Sequence, residues 1–175
     1  MHLNKAAVSV SNRIGEDGAG QEHVFNVVAP YFIAGLAGVY SGLGEHMLEE
    51  SIAHAKERKY TSGTSLAEIE TVQIHLAKMY NLVNSSVCTA KEATRSAAAG
   101  EEDALAKILS TRVIACEMVI EAGRLGMRVG GGKAYNKVGS MERLLRDAYA
   151  GQIMAPSADV LTVWLGKAIT GLPLV

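Results

Sequence analysis

Arg128 to Val160 reads RVGGGKAYNKVGSMERLLRDAYAGQIMAPSADV, three consecutive glycines followed by a charged stretch that ends at Pro156. Glycine reaches positive φ without a steric penalty, so the triplet marks a bend in an otherwise helical pattern. It is not a Walker-type phosphate loop. That pattern, Gly-x-x-x-x-Gly-Lys-Ser/Thr, would be aligned on Gly132 and Lys133, and Met127 stands at its first glycine and Ala134 at its hydroxyl. Beyond the bend, Glu142 with Arg146 and Arg143 with Asp147 are four residues apart, the spacing of a solvated ion-pair ladder. They predict a short helix from Met141 to about Tyr149. Ser157 is placed to cap a last helix carrying Val160, Leu161, Val163, Trp164 and Leu165.

Upstream the helical period continues. Pro30 suits a helix start, and Phe32, Ile33, Leu36, Tyr40, Leu43, Met47, Leu48, Ile52 and Ala55 recur at steps of three and four, predicting a long helix to near Lys59. Ser65 and Glu68 form a capping box for a second helix, marked by Leu66, Ile69, Val72, Leu76, Met79, Val83 and Val87, that ends around Ala99 and Gly100. A third opens on Glu101, Glu102 and Asp103, which suit the positive end of a helix dipole, and stops at the glycines of 126–132. The fold class expected is all-α: an antiparallel up-and-down bundle of three long and two shorter helices over residues 21–175. Lys5 to Val10 alternates weakly before the turn NRIGEDGAG, so residues 1–20 read as the extended end of a preceding β domain and a turn.

With 175 residues the chain can bury one core without disulfides or metal. Its 17 basic and 18 acidic side chains leave a net charge of -1, which gives no footprint for nucleic acid or an anionic membrane. Cys88 and Cys116 fall in apolar helical patterns and read as small buried hydrophobes in a reducing compartment. The N-terminus lacks the apolar core of a secretory signal, so the expected address is cytoplasmic. Val24 to Gly44 carries no charge and approaches the roughly 20 residues of a bilayer span. Asn26, Pro30, the glycines 35, 38, 42 and 44 and the acidic flanks favour instead a helix buried on nearly all sides, in a core or an oligomer interface. A di-iron bundle needs Glu-x-x-His pairs, and Leu43, Ser51 and Val72 stand three residues before His46, His54 and His75. His75 reads as a helix-surface residue.

In order, a strand exit, a long helix ending in AKERKY, a helix carrying VQIHLAKM, the glycine pair of GGKAY and then ERLLRDA make up nearly the whole chain. This succession resembles the C-terminal part of the acyl-CoA dehydrogenase family, whose phrase is roughly Gly-Gly-x-Gly-Tyr/Phe followed by Glu-Arg/Lys-x-x-Arg-Asp-Ala. The resemblance implies a bundle that follows a helical and a β-barrel domain, holds FAD with them and binds an acyl-CoA thioester, so that this chain is the last third. It implies homo-oligomers, dimers or tetramers, built through the bundle helices. It places Arg58 against the flavin pyrophosphate of a neighbouring subunit, Gly131 and Gly132 against the adenosine part, and Ser157 against the flavin. Arg58 also has a local role open to it, as a cation at a helix C-terminus.

The departures from the family are specific. Its usual base is a glutamate nine residues after the arginine here numbered Arg146, and that position is Ala155. The alternative base position is Phe32, with Ile33 in place of a neighbouring arginine. Thr61, Glu70 and Arg128 stand where the family has a phenylalanine and two glutamines on the cofactor. Abstraction of an α proton needs a positioned base, so no catalytic residue is assigned. The resemblance therefore leads to the C-terminal domain of an acyl-CoA dehydrogenase-like flavoprotein oxidoreductase, inactive as this chain alone. Two alternatives stand beside it: a diverged flavin-dependent monooxygenase or N-hydroxylase of the same fold, and a non-catalytic helical interaction module.

Overall fold

The computed structural model describes residues 2 and 4–174. Helices α1 (Gly20–His23) and α2 (Ala29–Glu57) are one continuous rod joined by a π-helical turn, Val24–Val28. They are followed by α3 (Glu70–Ala99), α4 (Ala104–Tyr135), α5 (Met141–Ile153) and α6 (Ala158–Thr170). The expected all-α bundle is present. The short segment ahead of it forms no strand among the described residues; Val10–Asn12 is a single 3-10 turn.

The first helix starts ten residues before Pro30, at Gly20, where periodicity had placed its start near the proline. The π turn is the reason. Proline lacks an amide hydrogen and its ring crowds the carbonyl four residues back, here that of Asn26. Widening the preceding turn, so that the Ala29 amide bonds to Val24 O, lets the helix pass through that obstacle. The rod is also less buried than its composition suggests. Its most apolar 18-residue stretch is only 22% buried, and Val24, Val27, Val28, Tyr31 and Phe32 are exposed. Of its glycines only Gly44 takes a close neighbour, Met118, while Gly35, Gly38 and Gly42 face open space.

The Ser65–Glu68 capping box is formed, with the Ser65 amide donating to Glu68 Oε1 at 2.8 Å, but it caps a 3-10 turn, Leu66–Glu68, that feeds α3 at Glu70. Gly100 ends α3 in the left-handed region, φ 66°, with the Glu101 amide reaching back to Ser96 O at 3.1 Å. This is a Schellman closure, which only a residue free of a Cβ penalty makes cheaply. The α3–α4 turn is locked by charge: Arg95 contacts Glu92 and Glu101, and Lys107 contacts Glu92, Glu101 and Asp103.

The main core lies between α2, α3, α4 and α5, with Met47, Met79, Val119 and Ala148 fully buried. A second cluster joins Ile33, Ile108, Leu109 and Leu161, where α6 and the first part of α2 meet the start of α4. A third joins Ala55, Leu66, Val72 and Val129 at the opposite end. Two placements differ from the sequence expectation. Cys116 is buried but Cys88 is exposed, and His75 is buried where a surface position was expected. Cys88 and His75 both lie on α3, where a shift of one position around the helix decides which side faces α4.

Hydrogen bonds from Arg95 and Lys107 hold the Glu92 and Glu101 carboxyls at about 2. A carboxylate depressed in the folded state stabilises it above the ordinary carboxyl range, and that contribution is lost as the pH falls towards 2. Lys107→Met is expected to move the Glu101 carboxyl back towards its ordinary value, read as a side-chain ¹³C titration. An unchanged titration would mean that Arg95 alone holds the turn.

Candidate functional site

Six of the seven expected cofactor contacts gather at one end of the bundle. Arg58 is the C-cap of α2; its amide bonds to His54 O, its carbonyl accepts from the Leu66 amide at 2.8 Å, and its guanidinium lies over the Tyr60 ring. Thr61 sits in the exposed turn that follows, closed by the bridge between Lys59 and Ser65. Glu70 is the first residue of α3, exposed, two before the buried Val72. Arg128 precedes the buried Val129, which packs with Val72, Leu66 and Ala55. That cluster is what draws the ends of α2, α3 and α4 together.

Gly131 and Gly132 lie at the same end. Helix α4 runs on through the region where the glycines were expected to stop it and kinks at Gly131, whose φ of 53° and ψ of -137° are open to glycine and costly for other residues. Both glycines are exposed, with open space where a Cβ would stand. The kink therefore presents bare backbone to solvent beside the cationic end of α2.

Between them is a cleft of about 230 Å³ walled by His54, Glu57, Gly130, Lys133 and the Glu50–Ser140 pair. Ser140 Oγ donates to the Glu50 carboxylate. His54 Nε2 is buried without a hydrogen-bond partner. Desolvation, then Lys133 and Arg58, push the His54 pKa down, with Glu57 opposing weakly. His75, near Arg128, is lowered in the same way by burial, Arg128 and Lys78, and its Nδ1 is also unpartnered. Both shifts favour the neutral imidazole, so the fixed positive charge of this end is that of Arg58, Lys59, Arg128 and Lys133. His54, His75 and Lys133 were not singled out from sequence as members of this site. Helical spacing gives no sign of which histidine a neighbouring helix covers.

Ser157 stands apart from this group. It caps α6 as expected, its Oγ accepting from the Val160 amide at 3.4 Å. Leu161, one turn on, shares a buried cluster with Ile33, Ile108 and Leu109, so Ser157 and Ala155 lie toward the end of the bundle where α2 begins. From Ile33 to Arg58 is 25 residues, roughly 38 Å of helix. No carboxylate occupies position 155 or 32. The Glu142–Arg146 and Arg143–Asp147 ladder is formed at 3.8 and 3.3 Å on the outer face of α5.

Two predictions follow from this end of the bundle. Gly131→Ala is expected to destabilise the fold by about 1–3 kcal/mol through its backbone conformation, whereas Gly132→Ala is neutral or stabilising by up to about 1 kcal/mol, both measured by urea unfolding. Histidines with depressed folded pKa values leave the unfolded chain to take up protons first, so stability holds above the ordinary value of about 6.5 and falls as the pH drops below it. Melting between pH 8 and 5.5 is expected to show that loss, and His54→Gln with His75→Gln to flatten it; an unaltered slope would assign it to other groups.

Comparison with known proteins accords with this arrangement. A profile described as the acyl-CoA dehydrogenase C-terminal domain matches residues 34–170. Cyclohex-1-ene-1-carbonyl-CoA dehydrogenase of Geobacter metallireducens is 24% identical over 164 residues, covering 93% of this chain and 42% of that protein. A probable acyl-CoA dehydrogenase of Mycobacterium tuberculosis is 27% identical over 128 residues, covering 73% of this chain and 33% of that protein. Among solved structures, butyryl-CoA dehydrogenase from Megasphaera elsdenii superposes with a TM-score of 0.85 at 20% identity, over 93% of this chain and 42% of its own. PigA with FAD and proline superposes with a TM-score of 0.85 at 20% identity, over 96% and 43%. The chain thus spans less than half the length of the relatives it matches. With that profile running through the α2 cap, the glycine kink and the α6 cap, the chain belongs to the acyl-CoA dehydrogenase family and has the fold of its C-terminal helical domain.

Proposed function

We propose that this bundle completes two FAD sites at once within an oligomeric acyl-CoA dehydrogenase-like oxidoreductase. The observation that carries the reading is the separation of the candidate contacts. Arg58, Thr61, Glu70, Arg128, Gly131 and Gly132 are at one end, and Ser157 lies toward the other, where Ile33 is roughly 38 Å from Arg58 along α2. One bundle would then meet the pyrophosphate and adenosine of one cofactor and the flavin of another, which requires a second copy. The exposed apolar side of α1 and α2, with Tyr31 80% and Val28 56% exposed, is a surface for such a copy or for the rest of a longer chain to cover.

The residues present fit the dinucleotide. Arg58 offers a guanidinium at a helix C-terminus, the Gly131 kink offers backbone without side-chain obstruction, and the capped start of α6 offers the positive end of a helix dipole. FAD, when bound, supplies the two-electron acceptor. The substrate class is an acyl-CoA thioester and the compartment the cytoplasm. The proton side of the reaction is different. Neither Ala155 nor Phe32 can take a proton, so a base for α-proton abstraction would have to come from outside these two positions. That same deficiency favours the second reading, a bundle kept for assembly whose flavin chemistry has been lost.

FAD retention by the native protein after size exclusion separates the two. Retained yellow flavin in a dimer or larger species is expected, and Arg58→Ala is expected to weaken retention roughly tenfold, the scale of one charged hydrogen bond. Colourless protein in every oligomeric state, or flavin retention indifferent to Arg58→Ala, would leave the assembly role alone standing.

A further inference from the structure

Arg112, in the first third of α4, is completely buried and is the largest side chain to be so. Among the described residues no carboxylate lies within ion-pairing distance of it. A buried cation without a counter-charge is costly, so its surroundings must compensate it by other means. Three do. Its guanidinium carbon lies 4.8 Å from the centre of the Tyr40 ring, Nη1 donates to Cys116 Sγ, and Nη2 donates to Gly151 O at 2.9 Å. Cys116 Sγ lies 3.1 Å from the same carbonyl. Nε is unpartnered, and desolvation pushes the guanidinium pKa down, with Tyr40 opposing.

The carbonyl matters because of where it is. Gly151 lies in the last turn of α5, where carbonyls have no amide of their own helix to accept from and the helix dipole is negative. Arg112 thus acts as the C-terminal cap of a helix it does not belong to. The contact is tight on its other side too: a Cβ on residue 151 would stand 3.1 Å from the Tyr40 ring. Residues from α2, α4 and α5 therefore meet on one backbone group immediately before the 154–157 connection, which carries Ala155 and Ser157.

We propose that Arg112 is a positioning residue: from inside the core it sets where the α5–α6 connection, and with it the start of α6, lies on the bundle. What that connection faces rests on the flavin reading proposed above. The positioning itself does not, and its test contains no flavin.

The test is amide hydrogen exchange by NMR on the chain, following Met154, whose amide bonds to Ala150 O, and Val160 and Leu161, whose amides bond to the Ser157 side chain and carbonyl. Arg112→Met is expected to accelerate these three roughly tenfold or more while Met79 and Val83 in α3 stay within about twofold. Arg112→Lys, which keeps a cation able to reach the carbonyl, is expected to recover most of the protection. Emission of Trp164, the single tryptophan, should move to the red in Arg112→Met and return in Arg112→Lys. Gly151→Ala displaces the same carbonyl from the Tyr40 side, so it should reproduce the local pattern and carries the test if Arg112→Met does not fold. Uniform acceleration through α3, no change at 154, 160 and 161, or no recovery with lysine would overturn the proposal.

Discussion

Helix α4 has to satisfy four neighbours at once, and the rest of the bundle depends on that constraint. It meets α2, α3, α5 and α6, and its buried residues run from Ile108 to Ala134 around most of its circumference. A helix covered on so many sides needs apolar or small residues nearly everywhere, and polar groups it does bury must find partners inside. Thr111 and Arg112 are the two consequences. Thr111 bonds to Thr89 on α3, while Arg112 turns the other way, to Tyr40 and the end of α5. Neighbouring positions on one helix thus anchor opposite sides of the bundle.

The same helix keeps the two ends of the bundle apart and oriented. Near its start it holds α6 through Ile108, Leu109 and Leu161, and near its finish it gathers the ends of α2 and α3 through Val129. Each end is then a place where other polypeptide or a cofactor can be met. Long antiparallel helices packed on a common partner are stiff, so what docks at one end is held at a fixed distance from what docks at the other. The identity of residue 155 has no bearing on this spacing, because Ala155 is exposed and outside the core. Surface positions of this kind can change their chemistry while the fold is kept.

Legibility in the sequence varied with the kind of signal. The capping box at Ser65 and Glu68, the αL stop at Gly100, the ladder of α5 and the Ser157 cap are all local devices, complete within a few residues, and all are found in the structure. The start of the first helix was misplaced because a proline is a helix-start signal only if the turn before it cannot widen, and here it does. The glycine triplet was read as a stop, yet only Gly131 leaves helical geometry. Arg112 and His75 gave no sign of their burial, since an arginine or histidine within a helix is ordinarily at the surface.

By itself the sequence determined the helices, their order and those ends that carry a local cap, because period, caps and turn residues act over one or two turns of chain. It also determined that positions 155 and 32 hold no proton acceptor, since that is a matter of side-chain identity. Only the tertiary structure decided that Arg58, Glu70, Arg128 and Gly131 share one end while Ser157 belongs to the other, and that Arg112 caps α5. Those facts depend on which faces of helices dozens of residues apart come together, and that is set by packing of the whole core, which no local stretch encodes.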